Sequence, residues 1–383
     1  MYKNMFDDTK IAITPIDRVM SELINMTSSV ADWEMCYHLQ TMQTNRKRVI
    51  KTIGLTIVLT LIIITTGLIY AQTKLDANIT QQLKSQVNQT TTKIVPTKKP
   101  SAPDPIKIIF AGDVMLDRHI RTNAEARGYD SLLDENLKGL LQTANFVVVN
   151  LEGPITTNQS VSVGSAIGST NNYLFTFDPV VTQFLKTYHM SPVNLGNNHM
   201  LNFGEVGLRS TYQYLDEAGL QYFGNPEPAA DATQRVAIIT SQHITIALVN
   251  YNQFVAAGLE TALIDIQAVQ NQVDLVFVYA HWGNEYVPEN QVLIDQAHQF
   301  IEVGADAVIG SHPHVVTGIE DYQGKRIYYS LGNFIFDQYF EPAVREGLVV
   351  ELIIDPLDLA LHYQQHMVDM TNDGKTRLRE AAL

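Results

Sequence analysis

The chain has 383 residues, 45% of them hydrophobic, and a formal net charge of -14 at pH 7. That length and apolar content suit one large folded domain with additional segments, and the acidic balance repels nucleic-acid backbones, so nucleic acid is excluded as a partner. The single cysteine, Cys36, excludes an intramolecular disulfide and a cysteine-rich zinc site, so any metal must be held by His, Asp, Glu or Asn.

Residues 1–48 place Ile16, Val19, Met20, Leu23 and Ile24 at the spacing of a short amphipathic helix and carry no catalytic motif. From Thr52 to Ala71 the chain reads TIGLTIVLTLIIITTGLIYA, about twenty uncharged and mostly apolar residues, the length a helix needs to cross a bilayer. Residues 49–71 are therefore expected to form one transmembrane helix. Arg46, Lys47, Arg48 and Lys51 precede the run and only Lys74 follows closely, which puts the N-terminus in the cytoplasm and the bulk of the chain outside. The long stretch before the apolar run fits an uncleaved signal-anchor rather than a cleaved signal peptide. Residues 72–105, rich in Gln, Thr, Asn and Lys and ending in IVPTKKPSAPDP, read as an extended stalk.

From Ile106 short apolar runs alternate with helical stretches, the pattern of an α/β domain, here taken as 106–365 with a polar tail over 366–383. IKIIFAG (106–112) leads into Asp113, FVVVN (146–150) into Leu151 and Glu152, and PVNLGN (192–197) into Asn198 and His199. DLVFVYA (274–280) leads into His281, and DAVIG (306–310) into Ser311, His312, Pro313 and His314. Any one of these has an ordinary explanation: Asp113 as a helix cap, Glu152 as a solvated loop residue, a histidine as a hydrogen-bonded core group. Five strand ends carrying such groups point instead to one crevice, because ligands bind in open α/β sheets where the carboxyl ends converge. GLVVELIID (347–355) reads as a further strand.

The motifs GDVM (112–115), NLEGPIT (150–156), LGNNH (195–199), AHWGNEY (280–286), IGSHPHV (309–315) and YSLGNFIFDQ (329–338), in that order, resemble the CapA family of poly-gamma-glutamate capsule biosynthesis proteins, related to the calcineurin-like metallophosphoesterases. The resemblance covers roughly 106–340. It implies a four-layer α/β/β/α metallophosphatase-like sandwich with its site at one end. It further implies that Asp113 binds one metal, that Glu152 bridges two, that Asn198, His281 and His312 complete the second, and that His314 returns to the first. His199 becomes the general acid or transition-state hydrogen-bond donor. Apart from the resemblance, Arg118, close after Asp113, is a candidate to pair with an anionic phosphate or carboxylate or else an exposed helix arginine, and Asn333 a candidate amide lining the pocket. Mixed oxygen and imidazole donors suit Mn, Fe or Zn better than Ca, one or two ions per chain.

Two departures stand out. Met115 occupies a position where the phosphoesterase pattern has His, and Glu152 replaces the usual bridging Asp. Glu285 is a candidate to orient a ligand, and Trp282 a candidate to stack on substrate or simply to be buried. Two functions compete. One is a metal-dependent hydrolase of the bacterial envelope, acting on an anionic polymer or phosphoester in capsule synthesis, export or anchoring. The other is a non-catalytic subunit that binds polymer or a partner in a membrane-bound capsule synthase.

Overall fold

The computed structural model describes residues 103–227 and 232–380, together with Thr66 and Lys74. The 1–48 segment, the Thr52–Ala71 span apart from Thr66, and most of the stalk lie outside those residues. No helix among the described residues is long and apolar enough to cross a membrane.

The chain first builds half of one sheet: β1 (Ile106–Val114), β2 (Phe146–Leu151), β3 (Met190–Asn194) and β4 (Tyr222–Phe223), each parallel to the next. It then crosses to a second sheet of six strands, β5 (Val236–Ser241), β6 (Ile244–Asn252), β7 (Leu275–His281), β8 (Ala307–Ser311), β9 (Ile319–Tyr322) and β10 (Lys325–Tyr328), in the order β5-β6-β7-β8-β10-β9. It returns to the first sheet through β11 (Asn333–Ile335), β12 (Glu346–Ile354), β13 (Leu361–Met370) and β14 (Thr376–Leu378), giving the order β14-β13-β12-β1-β2-β3-β4 with β11 also beside β1.

Alternation along the strands sets the layers, since successive side chains leave opposite faces. In β1, Ile106, Ile108 and Phe110 enter an apolar cluster shared with Ile246 and Leu248 of β6, Phe277 and Tyr279 of β7, and Val350 and Leu352 of β12. This is the core between the two sheets. Ile109 and Ala111 of β1, with Val147 and Val149 of β2, face the other way, against Ile120 of α1 (Arg118–Arg127), Leu137 of α2 (Glu135–Gln142), Leu185 of α3 (Val181–Thr187) and Leu208 of α4 (Gly204–Ala218). After the short α5 (Ala232–Arg235) in the chain, the second sheet does the same: Ala247, Val249, Val276 and Val278 pack on Ile266 of α6 (Gly258–Val269) and Phe300 of α7 (Gln291–Glu302). Two sheets face to face with helices on both outer faces fit the α/β metallophosphatase-like fold that was expected. Each fully buried Val, Leu, Ile or Phe contributes about 1.5–3 kcal/mol, so a charge on either face of β1 or β7 would break a layer.

Polar side chains start the helices. Asp134 accepts the Leu137 N–H at 2.8 Å before α2, and Asn290 accepts that of Leu293 at 3.2 Å before α7. The first helix begins at Arg118, capped by Asp117, rather than directly after Asp113. Asp113 is thereby left free for the site. Within the stretch expected to be a tail, residues 366–370 complete β13 and Thr376–Leu378 form β14, after which Arg379 pairs with Glu346 and Asp369. The polar composition of the stretch reflects an exposed sheet edge.

Candidate metal centre

Asp113 ends β1, Glu152 follows β2, His281 ends β7, and His312 and His314 follow β8. The first two come from one sheet and the histidines from the other, so the site forms only when the sheets stack. Asp113 and Glu152 are fully buried. His314 Nδ1 lies 3.3 Å from Asp113 Oδ2, and its Nε2 lies 3.7 Å from Glu152 Oε1. Donor atoms of Asp113, Glu152 and His314 fall within 4.8 Å of one another, so this group could hold a metal ion. His281 Nδ1 stands 4.0 Å from Asp113 Oδ1, and His199 Nε2 3.9 Å from Glu152 Oε1. The His312 backbone N–H donates to Asp113 Oδ2 at 3.2 Å, and its ring centre is 4.8 Å from that of His281. Asn198, though exposed, puts Oδ1 2.9 Å from His281 Nε2.

Burial disfavours charge on all of these groups. For Asp113 that effect is overcome by hydrogen bonding to His314, the fields of His314 and His281, and the Asn150 amide, which together hold its carboxyl at about 2. For Glu152, burial first, then the charge of Asp113, outweigh the field of Arg118 and push it well above the ordinary carboxylate value. Burial lowers His199 to about 4 and His312 to about 3, and drives His281 well below an ordinary histidine. Neutral imidazoles beside two crowded carboxyls are the donor set a divalent cation requires.

The surrounding hydrogen bonds orient these donors. Asn333 Oδ1 lies 2.9 Å and Asp113 Oδ2 3.3 Å from His314 Nδ1, so the two share its hydrogen and Nε2 is left facing Glu152. Ser311 Oγ donates to the Ala280 carbonyl and sits 3.1 Å from His281 Nδ1, so it accepts the ring hydrogen there. The lone pair on His281 Nε2 then faces the Asn198 oxygen, two acceptors that a cation reconciles. Glu152 Oε1 and His312 Nδ1 are buried with no hydrogen-bond partner. Backbone strain collects here too: His312 at φ 97° and His314 at φ 57° occupy the left-handed region, each at a cost of about 1–3 kcal/mol. Unpaired buried atoms and strained backbone at one spot fit a site built for an ion.

The other candidates divide. His199 stacks on Phe175 with ring centres 4.5 Å apart, and its Nδ1 faces Asn202 Oδ1 at 3.2 Å. Because that oxygen already accepts the Phe175 N–H, Nδ1 is the donor and Nε2 is the atom left for the site. Arg118, at the start of α1, is ion-paired with Asp337 and lies over the rings of Phe175 and Phe336. Asn333 gives its amide hydrogens to the Val344 carbonyl and Gln338, so it supports His314 rather than lining open space. Met115 is buried in the helix-side core, its sulfur accepting the Asp117 N–H. Trp282 is wholly buried with its indole N–H on the Tyr329 carbonyl, and Glu285 is exposed. Beside the centre runs a groove of about 680 Å³ lined by Arg118, Tyr173, Tyr286 and Phe340, with the Tyr286 ring 6.1 Å from that of His314.

Sequence reasoning missed the asparagines beneath the carboxylates. Asn150 donates to Asp113 Oδ1 at 2.9 Å and to Glu152 Oε2 at 3.3 Å, and Asn194, Asn197 and Asn250 lie behind it. Asn150 and Asn194 stand inside recognised runs. Asn250 lies on β6, whose ending NYN puts two amides on one strand face, a signal present but unused.

Residues 107–338 match a family model described as Bacterial capsule synthesis protein PGA_cap. A "PGA biosynthesis protein CapA" of Bacillus subtilis (strain 168) is 28% identical over 63% of this chain and 66% of its own length. A "Capsule biosynthesis protein CapA" of Bacillus anthracis is 28% identical over 61% of this chain and 60% of its own. A "Probable polyglutamine synthesis accessory protein" of Mycobacterium tuberculosis (strain CDC 1551 / Oshkosh) is 25% identical over 61% of this chain and 75% of its own. The chain thus spans two thirds or less of the length of the two Bacillus relatives.

Proposed function

This chain belongs to the bacterial capsule synthesis protein PGA_cap family, and on that premise we propose that its folded domain is a metal-dependent hydrolase acting outside the membrane on a phosphoester or related bond of a capsule or envelope polymer, poly-gamma-glutamate being the polymer the family resemblance suggests. The observation that carries the reading is the buried meeting of Asp113, Glu152 and His314, with Glu152 Oε1 unpartnered. The apolar run Thr52–Ala71 supports a single membrane span with the N-terminus inside.

Asp113, Glu152, His314, His281, His312 and Asn198 would hold one or two ions of Mn, Fe or Zn type. A divalent cation bound there supplies Lewis acidity and a water nucleophile active at neutral pH, so no serine or cysteine nucleophile is needed. The protein does the rest. Asn333 and Ser311 hold the rings of His314 and His281, and burial keeps both carboxylates and imidazoles from water. In its neutral form His199 offers a lone pair at Nε2, which suits a proton acceptor; the donor role implied by the resemblance needs a protonated ring, against its low pKa of about 4. The adjoining groove receives the remainder of the substrate, with Arg118 held in place by Asp337 at its wall.

The alternative is a polymer- or partner-binding subunit that uses this groove without chemistry. Hydrolysis of bis-p-nitrophenyl phosphate by the purified full-length chain with Mn separates the two. The hydrolase reading predicts turnover that falls at least about 100-fold in His281→Ala. A folded, metal-loaded wild type with no turnover on this or other phosphoesters would favour the binding subunit.

A further inference from the structure

Under the two carboxylates, four asparagines form a continuous hydrogen-bonded chain across both sheets. Asn250, on β6, donates to Asn194 Oδ1 at 2.8 Å; Asn194, at the end of β3, donates to Asn150 Oδ1 at 3.0 Å. Asn197 donates to the same Asn150 oxygen at 3.0 Å. Asn150 then donates to Asp113 Oδ1 and to Glu152 Oε2. All of them are buried.

Backbone groups fix the direction of the chain, so no amide is free to turn over. Asn197 Oδ1 accepts the N–H groups of His199 and Met200, which only an oxygen can do, so its nitrogen must face Asn150. Asn194 Oδ1 likewise accepts the Gly196 N–H at 3.3 Å. With two amide nitrogens on its oxygen, Asn150 can present only its NH₂ to the carboxylates. Two glycines make room: a Cβ on Gly196 would lie 2.1 Å from Asn250 Oδ1, and one on Gly224 2.5 Å from Asn194 Oδ1.

Asn150 occupies Oδ1 of Asp113 and Oε2 of Glu152. The opposite oxygens both face His314: Asp113 Oδ2, which also accepts the His312 backbone N–H at 3.2 Å, and Glu152 Oε1, which has no hydrogen-bond partner. We propose that Asn150 is a carboxylate clamp, aligned by Asn197 and by the Asn250–Asn194 chain from the opposite sheet, that turns one oxygen of Asp113 and one of Glu152 toward the cation site. It is a positioning residue. The proposal rests on the metal-centre reading above and adds that ligand geometry depends on residues that never touch the ion.

The test is Mn²⁺ affinity, by calorimetry on the full-length chain, in wild type, Asn150→Leu and Asn194→Asp. Asn150→Leu removes the clamp, and partners that orient metal ligands typically govern affinity by about 10–100-fold, so a loss of that size is expected. Asn194→Asp still accepts from Asn250 and the Gly196 N–H but turns an oxygen toward the Asn150 oxygen, undoing the alignment from a distance. Its added negative charge alone would tighten cation binding; the clamp predicts roughly tenfold weaker binding. This variant also keeps the proposal testable if Asn150→Leu fails to fold. Wild-type affinity in folded Asn150→Leu, or tighter binding in Asn194→Asp, overturns the clamp while leaving the metal centre standing. Absence of Mn²⁺ binding in wild type overturns both.

Discussion

Glu152 is under two opposed demands. Burial next to Asp113 makes its ionised form costly, yet an ionised Glu152 is what a bridging ligand needs. A carboxyl whose pKa is raised in the folded chain contributes stability at low pH that is lost as the pH climbs above its ordinary value of 4.5. Metal-stripped Glu152→Gln is therefore predicted to melt above metal-stripped wild type at pH 7, by about 1–3 kcal/mol of added stability. With saturating Mn the order should reverse, because the variant loses a ligand. Thermal unfolding with and without chelator reads both; a variant no more stable than wild type in chelator would contradict the argument. Asp113, Glu152, His281, His312 and His314 were legible because each sits where an apolar run stops, a position a reader can find without coordinates. Asn150 and Asn250 were not, because their importance lies in contacts between sheets, and a linear pattern does not say which amide faces which.

The same limit operates on elements. β1, β2, β7, β8 and β12 are runs rich in Val, Ile, Leu and Phe bounded by polar or glycine turns, and these are readable in the sequence, with β3 marked by the PVNLGN stretch. β6 is not marked by any site motif despite its apolar run, and β13 reads equally as strand or helix because it carries polar residues on an exposed face. The contact that binds the sheets at the site end was equally hidden. Tyr279 of β7 donates its buried hydroxyl to the Ala111 carbonyl of β1 at 2.6 Å, two residues from Asp113. Tyr279→Phe keeps the ring in the inter-sheet core but leaves that carbonyl without this donor. The predicted cost is about 1–3 kcal/mol in urea unfolding; a change under about 0.5 kcal/mol would mean the hydroxyl contributes no net linkage. Gly112 shows why β1 and β11 approach so closely, since a Cβ there would lie 1.7 Å from the Gly332 carbonyl oxygen.

On the scale of the whole molecule, the charge of -14 draws cations and repels polyanions at long range. The proposed anionic polymer would therefore have to be engaged locally, at the centre and its groove, rather than gathered by the overall field. The proposed anchor belongs to this scale as well. Full-length chain is predicted to stay with membranes through alkaline carbonate washing, and a chain lacking residues 1–71 to be released; release of the full-length chain would remove the span from the account.

Whether Asp113, Glu152 and His314 form a metal centre is decided by a calorimetric titration of Mn²⁺ and Zn²⁺ into chelator-stripped protein and its Asp113→Asn variant. A metal centre there gives saturable binding of one or two ions per chain that is lost or weakened at least about 100-fold in the variant. Wild type that is folded and binds neither ion, or a variant that binds as wild type does, would contradict it.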